Sequence, residues 1–155
     1  MDHLWLKIIH ILSATLVLGG SVGIGFFMSM ADRTRDARIV AAVGRAVFLA
    51  DALIAAPAVA GLLVTGPLLA EALGLSLWSG WLGLAMGLLA LSGLCWLPGI
   101  WLQKHAWRLA AGAAAVNAPL PPRYFRLMRV WYWLGLPSTA AILAILALMV
   151  LKPAL

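Results

Sequence analysis

The sequence predicts an all-α, polytopic membrane protein: an antiparallel bundle of four transmembrane helices. Two observations carry that prediction. Hydrophobic residues make up 65% of the 155 residues and charged residues only 10%, whereas a soluble domain is about half apolar and a quarter charged. A chain this short has too little interior to hide so much apolar surface, so lipid must solvate most of it. The second observation is that the apolar residues fall into four runs, each long enough to cross a bilayer.

The first run extends from about Leu4 to Ala31. It follows Met1-Asp2-His3, without the basic region and small-residue cleavage site of a secretory signal, and is expected to be a retained span. The second begins near Arg38 and fades between Pro67 and Ala70, the third covers about Leu77 to Gln103, and the fourth about Met128 to Leu151. Backbone groups inside hydrocarbon must be satisfied within their own segment, which leaves helix as the expected state. Between the first two runs lies a polar turn, Asp32-Arg33-Thr34-Arg35-Asp36-Ala37-Arg38. Between the second and third there is only Glu71 to Ser76. The third connection, 104–127, is the longest. Its part from His105 to Val116 reads as a helical extension that Ala118-Pro119-Leu120-Pro121-Pro122 then breaks. The whole of 1–155 is expected to be one transmembrane domain.

The formal net charge is +6, but its distribution argues for a lipid-bilayer partner and against nucleic acid. Arg33, Arg35, Arg38 and Arg45 flank the first connection, and Lys104, Arg108, Arg123, Arg126 and Arg129 the third; the other side holds only Lys7 and Lys152. Nine basic residues against two place the basic connections in the cytoplasm and both termini outside, under the positive-inside rule. Trp5 and Trp78 then mark the outer interface, and Trp101, Trp107, Trp131 and Trp133 the inner one. No basic face interleaved with base-reading side chains is present.

Pro57, Pro98 and Pro137 fall inside spans and are expected to bend them. Gly19 with Gly23, and Gly83 with Gly87, have the small-xxx-small spacing that lets helices approach closely; whether the chain forms a homo-oligomer is left open. The lone Cys95 supports neither a disulfide framework nor a thiolate metal site.

Ionisable residues inside a span are costly and point to function. Lys7 is near enough to the surface to extend its ammonium to it. His10 is deeper, and an imidazole against hydrocarbon would leave donor and acceptor unpaired, so it should face the bundle interior. Two readings are open: a hydrogen bond to a neighbouring helix, or axial ligation of a haem b iron. Helix depths set Gly61 and Gly83 opposite His10, leaving room for a flat macrocycle or for close packing. Met86 is the best-placed second ligand. Asp51 falls close to the midplane, level with Ser21, Ser92 and Thr139, where a polar layer could relay protons or fix helix geometry. No nucleotide-binding glycine loop, cysteine pair or Ser-His-Asp set can be assembled.

The stretch Leu4-Trp5-Leu6-Lys7-Ile8-Ile9-His10-Ile11-Leu12-Ser13, the Gly19-Gly20 pair and Phe26-Phe27-Met28 resemble the start of the bacterial "domain of unknown function 2269" family. Leu49-Ala50-Asp51 with Ala56-Pro57-Ala58, Cys95-Trp96-Leu97-Pro98 with Trp101-Leu102-Gln103, and Pro119-Leu120-Pro121-Pro122-Arg123-Tyr124 resemble its later blocks. The likeness implies a four-helix protein of the bacterial inner membrane, with no activity assigned. The opening Leu-Trp-Leu-Lys-x-x-His is also similar to the membrane-bound, haem-b-containing protoporphyrinogen oxidase family and, more distantly, to copper-resistance protein D. The oxidase likeness implies a functional role for His10. That family also has a lysine and histidines around its third helix, whereas Trp81 to Trp101 contains neither. The copper-protein likeness implies metal transport, but Met and His form no ladder across these spans.

Two functions follow as expectations. One is haem b or porphyrin binding through His10 in electron transfer, with a membrane redox partner. The other is a non-enzymatic membrane protein, an assembly partner or small transporter, with His10 and Asp51 structural.

Overall fold

The computed structural model describes residues 2–78 and 80–153. Among them, all regular structure is helical, and four helices are long and apolar enough to span a membrane: His3–Thr34, Ala37–Ala72, Gly80–Ala115 and Pro122–Leu151. The elements in chain order are α1 (Asp2–Thr34), α2 (Ala37–Ala50), a π-helical turn (Asp51–Ala55), α3 (Ala56–Ala72), α4 (Gly80–Ala115) and α5 (Pro122–Leu151).

Each boundary has a local cause. Arg35 adopts a left-handed φ of 55° after α1. Asp36 then caps α2, accepting from the backbone N–H of Arg38 at 2.7 Å and of Ile39 at 3.4 Å, two donors that the first helical turn leaves free. Gly74 and Gly80, at φ 65° and 57°, make the turns between α3 and α4, conformations that cost a glycine little.

The last connection is much shorter than 104–127. α4 runs on to Ala115, and α5 begins at Pro122 rather than near Met128. Proline is well tolerated at the first position of a helix, because its missing N–H has no intrahelical partner there. Asn117, with φ 53°, ends the preceding run. The break is therefore confined to Val116 through Pro121.

Of the expected bends, the one at Pro57 has a defined form. The Ala56 N–H bonds to the Asp51 carbonyl, five residues back. A proline ring would crowd the carbonyl four residues before it in a regular helix, and the wider π turn just ahead of Pro57 relieves that crowding. Such turns occur mostly as single insertions in α-helices.

The turn also separates two packing partners. α2 packs on α4 and α1, whereas α3 packs along α1 and leaves α4. α4 packs chiefly on α5. The bundle is tightest at the end carrying the basic connections, where Met28 of α1, Val40 of α2, Ala106 and Ala110 of α4, and Tyr124 and Met128 of α5 form one buried cluster. There the Trp107 ring stacks on Phe48, centroids 5.8 Å apart and 17° from parallel, and Trp107 also closes on Gly44. At the opposite end Trp5 and Trp78 stand exposed.

Close helix approach does not use the glycine pairs expected for it. A Cβ built on Gly19, Gly23 or Gly87 would meet nothing within 4 Å, and one on Gly83 would meet the Trp78 backbone of the preceding turn. The tight contact instead joins α3 to α1, where a Cβ on Gly61 would come 2.6 Å from Ser13 Oγ.

Candidate functional site

The buried polar residues do not converge on one site; they form separate links between helices. The first joins α1 to α3. Ser13 and Thr65 are both buried, and His10 lies half-buried one turn before Ser13. His10 Nδ1 is 2.8 Å from Thr65 Oγ1, and the Thr65 hydroxyl in turn donates to the Gly61 carbonyl at 2.6 Å. Thr65 has one hydroxyl proton, and it is committed to Gly61. The imidazole must therefore donate from Nδ1, which leaves Nε2 as the lone-pair nitrogen.

His10 thus faces its own bundle partner, but one turn away from the expected glycines. Its Cε1 sits 3.5 Å from a Cβ built on Gly66, while Gly61 receives Ser13 and Gly83 receives Trp78. The depth match misses this because it counts from Pro67, whereas α3 runs on to Ala72, five residues further. Lys7, three residues earlier, is exposed.

His10 and Met86, the two candidate haem ligands, lie on helices that do not pack along each other. A protonated Nδ1 held by a neighbour, with Nε2 free, is the usual state of a metal-bound histidine. Met86, however, is half-buried on α4, and α4 packs on α2 and α5 rather than along α1. The cavities between α1 and α2 and beside α5 do not include His10 in their linings. No group of three His, Cys, Asp or Glu able to hold a metal ion occurs among the described residues.

The second link joins the π turn to α4. Asp51 is 7% exposed, facing the interior as its cost against lipid requires. It is approached by the Trp96 indole and the Gln103 amide, which lie on one face of α4, two turns apart. Gln103 is 3% exposed, yet its Nε2 has no hydrogen-bond partner. The expected layer of Asp51 with Ser21, Ser92 and Thr139 is divided among other partners. Ser92 Oγ pairs with Ser138 Oγ of α5 at 2.9 Å. Ser21 bonds back to the Val17 carbonyl at 2.8 Å, and Thr139 lies half-buried on α5 beside Ser138. Asp51 and Thr65 are separated along their helix by roughly 21 Å, so the first two links are independent.

The third link lies at the basic end. Asp32 accepts from Tyr124 through Oδ1 and from Tyr132 through Oδ2, the latter at 2.8 Å, joining the end of α1 to α5. At the same end Arg38 donates to the Asn117 side chain, tying the two basic connections. In the sequence Asp32 reads only as part of a polar turn. The signal lay in the tyrosines, whose spacing sets both on one face of a helix.

These links make one four-helix unit from nearly the whole chain, and the family model described as "Predicted integral membrane protein (DUF2269)" matches residues 4–153. The chain belongs to that family. Residues of the family-like blocks supply the links at both ends: His10 and Ser13 from the opening, Asp51 and Gln103 from the middle, and Tyr124 from the last. No curated protein and no solved structure matches the chain.

Proposed function

We propose that this chain is a non-enzymatic protein of the bacterial inner membrane that acts by assembling with other transmembrane helices, in the first place those of a second copy. Its polar residues inside the bilayer then serve structure: His10, Asp51 and Asp32 each tie one helix to another. The observation that carries the reading is a cavity of about 390 Å³ between α1 and α2, floored by Gly19, Gly20 and Gly23 and bounded by Ala46, Ala50 and Ile54. Its glycines meet no side chain of their own chain.

In lipid no hydrophobic force drives helices together, and association depends on close backbone approach at small residues. Val22 and Phe26, exposed on the same helix, supply the knobs that a neighbouring copy's notch would receive. A helix carrying both knob and hole suits a two-fold, self-complementary contact. Both termini face the periplasm in this arrangement, because the nine basic residues of the inner connections belong in the cytoplasm.

The test is oligomeric mass. The purified protein should run as a dimer by light scattering in mild detergent, and Gly20→Leu with Gly23→Leu should convert it to a folded monomer. A monomeric wild type would remove the reading.

A second reading rests on one specific observation, the free Nε2 of His10. Haem b bound there, with His10 as its only protein ligand, would suit electron transfer to a membrane redox partner. Protein from haem-replete cells would then show a Soret band that His10→Ala abolishes. Colourless protein that stays so after haemin titration leaves His10 as a helix link alone.

A further inference from the structure

A second cavity, of about 330 Å³, opens at the basic end between the close of α1 and the first turns of α5. Its lining combines Asp32 and Arg129 with the aromatic residues Phe125, Tyr132 and Trp133 and with Leu136. The two charges are opposite, yet neither neutralises the other. Asp32 is touched by Tyr124 and Tyr132 and by no cation, and Arg129 is exposed.

A carboxylate offers about four acceptor positions, and the two phenols occupy two of them. Two acceptor positions therefore remain on Asp32, and Arg129 lines the same cavity. Arg35 adds a further positive charge nearby, 5.8 Å from the centre of the Phe125 ring.

The cavity also lies at a defined level. Asp32 ends the first span immediately before the arginine-rich turn, so the charged groups sit where lipid headgroups lie, and Leu136 points the lining toward the hydrocarbon. A guest that fits must bring a cation with N–H donors for Asp32, an anion for Arg129, and an apolar tail. We propose that this cavity is a binding site for a zwitterionic phospholipid with a primary ammonium headgroup, its ammonium on Asp32 and its phosphate on Arg129. The aromatic faces beside Asp32 attract either kind of ammonium, so the N–H donors to Asp32 make the distinction. A choline headgroup has no N–H to donate to the carboxylate. A purely anionic headgroup would meet Arg129 but be repelled by Asp32. The site therefore selects by charge pattern, which a diffuse basic surface does not.

Native mass spectrometry of the purified full-length protein, with equal amounts of phosphatidylethanolamine, phosphatidylglycerol and phosphatidylcholine, tests the assignment. One phosphatidylethanolamine adduct should dominate roughly tenfold over either competitor, the selectivity expected of one charge-assisted contact. Arg129→Gln should lower all three adducts together, because the phosphate is common to them, and Leu136→Trp, which fills the cavity without touching either charge, should remove the phosphatidylethanolamine excess. Asp32→Asn, which keeps an acceptor for the tyrosines, should abolish the preference over phosphatidylcholine. Circular dichroism and thermal unfolding of each variant identify those that remain folded. Preferential binding of phosphatidylglycerol, equal binding of all three lipids, or undiminished selectivity in folded Asp32→Asn or Leu136→Trp would each overturn the proposal.

Discussion

His10 Nδ1 lies 2.8 Å from Thr65 Oγ1, and the threonine hydroxyl is already committed to the Gly61 carbonyl. One proton assignment therefore satisfies all three groups and ties α1 to α3. His10→Ala and Thr65→Val should each lower thermal stability in detergent, and the double variant should be little worse than either. The expected coupling is about 0.6–1.7 kcal/mol, the span measured for side-chain hydrogen bonds between membrane helices. Additive losses in a double-mutant cycle would deny the link.

Gly61 should tolerate no side chain while Ser13 is present, because a Cβ there would come 2.6 Å from Ser13 Oγ. Gly61→Ala is expected to destabilise the protein by about 1–3 kcal/mol, as overpacking does. Ser13→Ala should recover part of that loss by removing the opposing oxygen. Thermal unfolding of the single and double variants checks the pair, and an unchanged Gly61→Ala protein would contradict the contact.

At the π turn, Asp51→Asn should be milder than Asp51→Leu. The amide keeps a polar group beside the Trp96 indole and the Gln103 side chain, whereas leucine removes it. The difference should be about 1–3 kcal/mol, the cost of stranding a buried polar group. Equal melting temperatures for wild type and Asp51→Leu would remove the structural role of the carboxylate.

The Asp32 link predicts unequal effects for two similar substitutions. Tyr124 is fully buried and packs in the cluster at the basic end, so Tyr124→Phe removes one hydrogen bond without opening a void. Tyr132→Phe removes the other. Each should cost about 1 kcal/mol, while Asp32→Ala, which strands both phenols, should cost more than their sum. Urea or thermal titration of the three variants distinguishes these outcomes.

Orientation is open to a direct test. Alkaline phosphatase fused to the C-terminus should be active, and a fluorescent protein that folds only in the cytoplasm should be dark there. The reverse pattern would exchange the two sides of the membrane throughout.

The spans were legible because lipid imposes long apolar runs that no competing signal masks. The start of α5 was less so, since Arg123, Arg126 and Arg129 lower the hydropathy of its first two turns and make a helix look like a loop. Tyr124 and Met128, four apart and both buried, carry the periodicity that the charge obscured. The depth of His10 and the burial of Asp51 followed from the cost of polar groups in hydrocarbon. Their partners did not. Depth matching takes Pro67 as the outer end of the second span, and a proline inside a helix does not end it: α3 runs on to Ala72. Nothing in Asp51-Ala52-Leu53-Ile54-Ala55 marks the π turn except the proline that follows. The glycine spacing of α1 was equally ambiguous, because small residues look alike whether a helix of the same chain covers them or not.

The π turn at Asp51–Ala55 has a consequence for how disturbance spreads through the bundle. A continuous α-helix is a stiff rod, and a push at one end arrives at the other. Here the second span is two rods sharing an axis only in name, one seated among α1 and α4, the other lying along α1. A shift of α1 at the end away from the basic connections would carry α3 with it through His10 and Ser13. The joint at Asp51 can take up that movement, leaving the packed cluster at the basic end undisturbed. The buried carboxylate sits at the pivot itself, so movement of the outer half would register first in the contacts of Asp51 with Trp96 and Gln103.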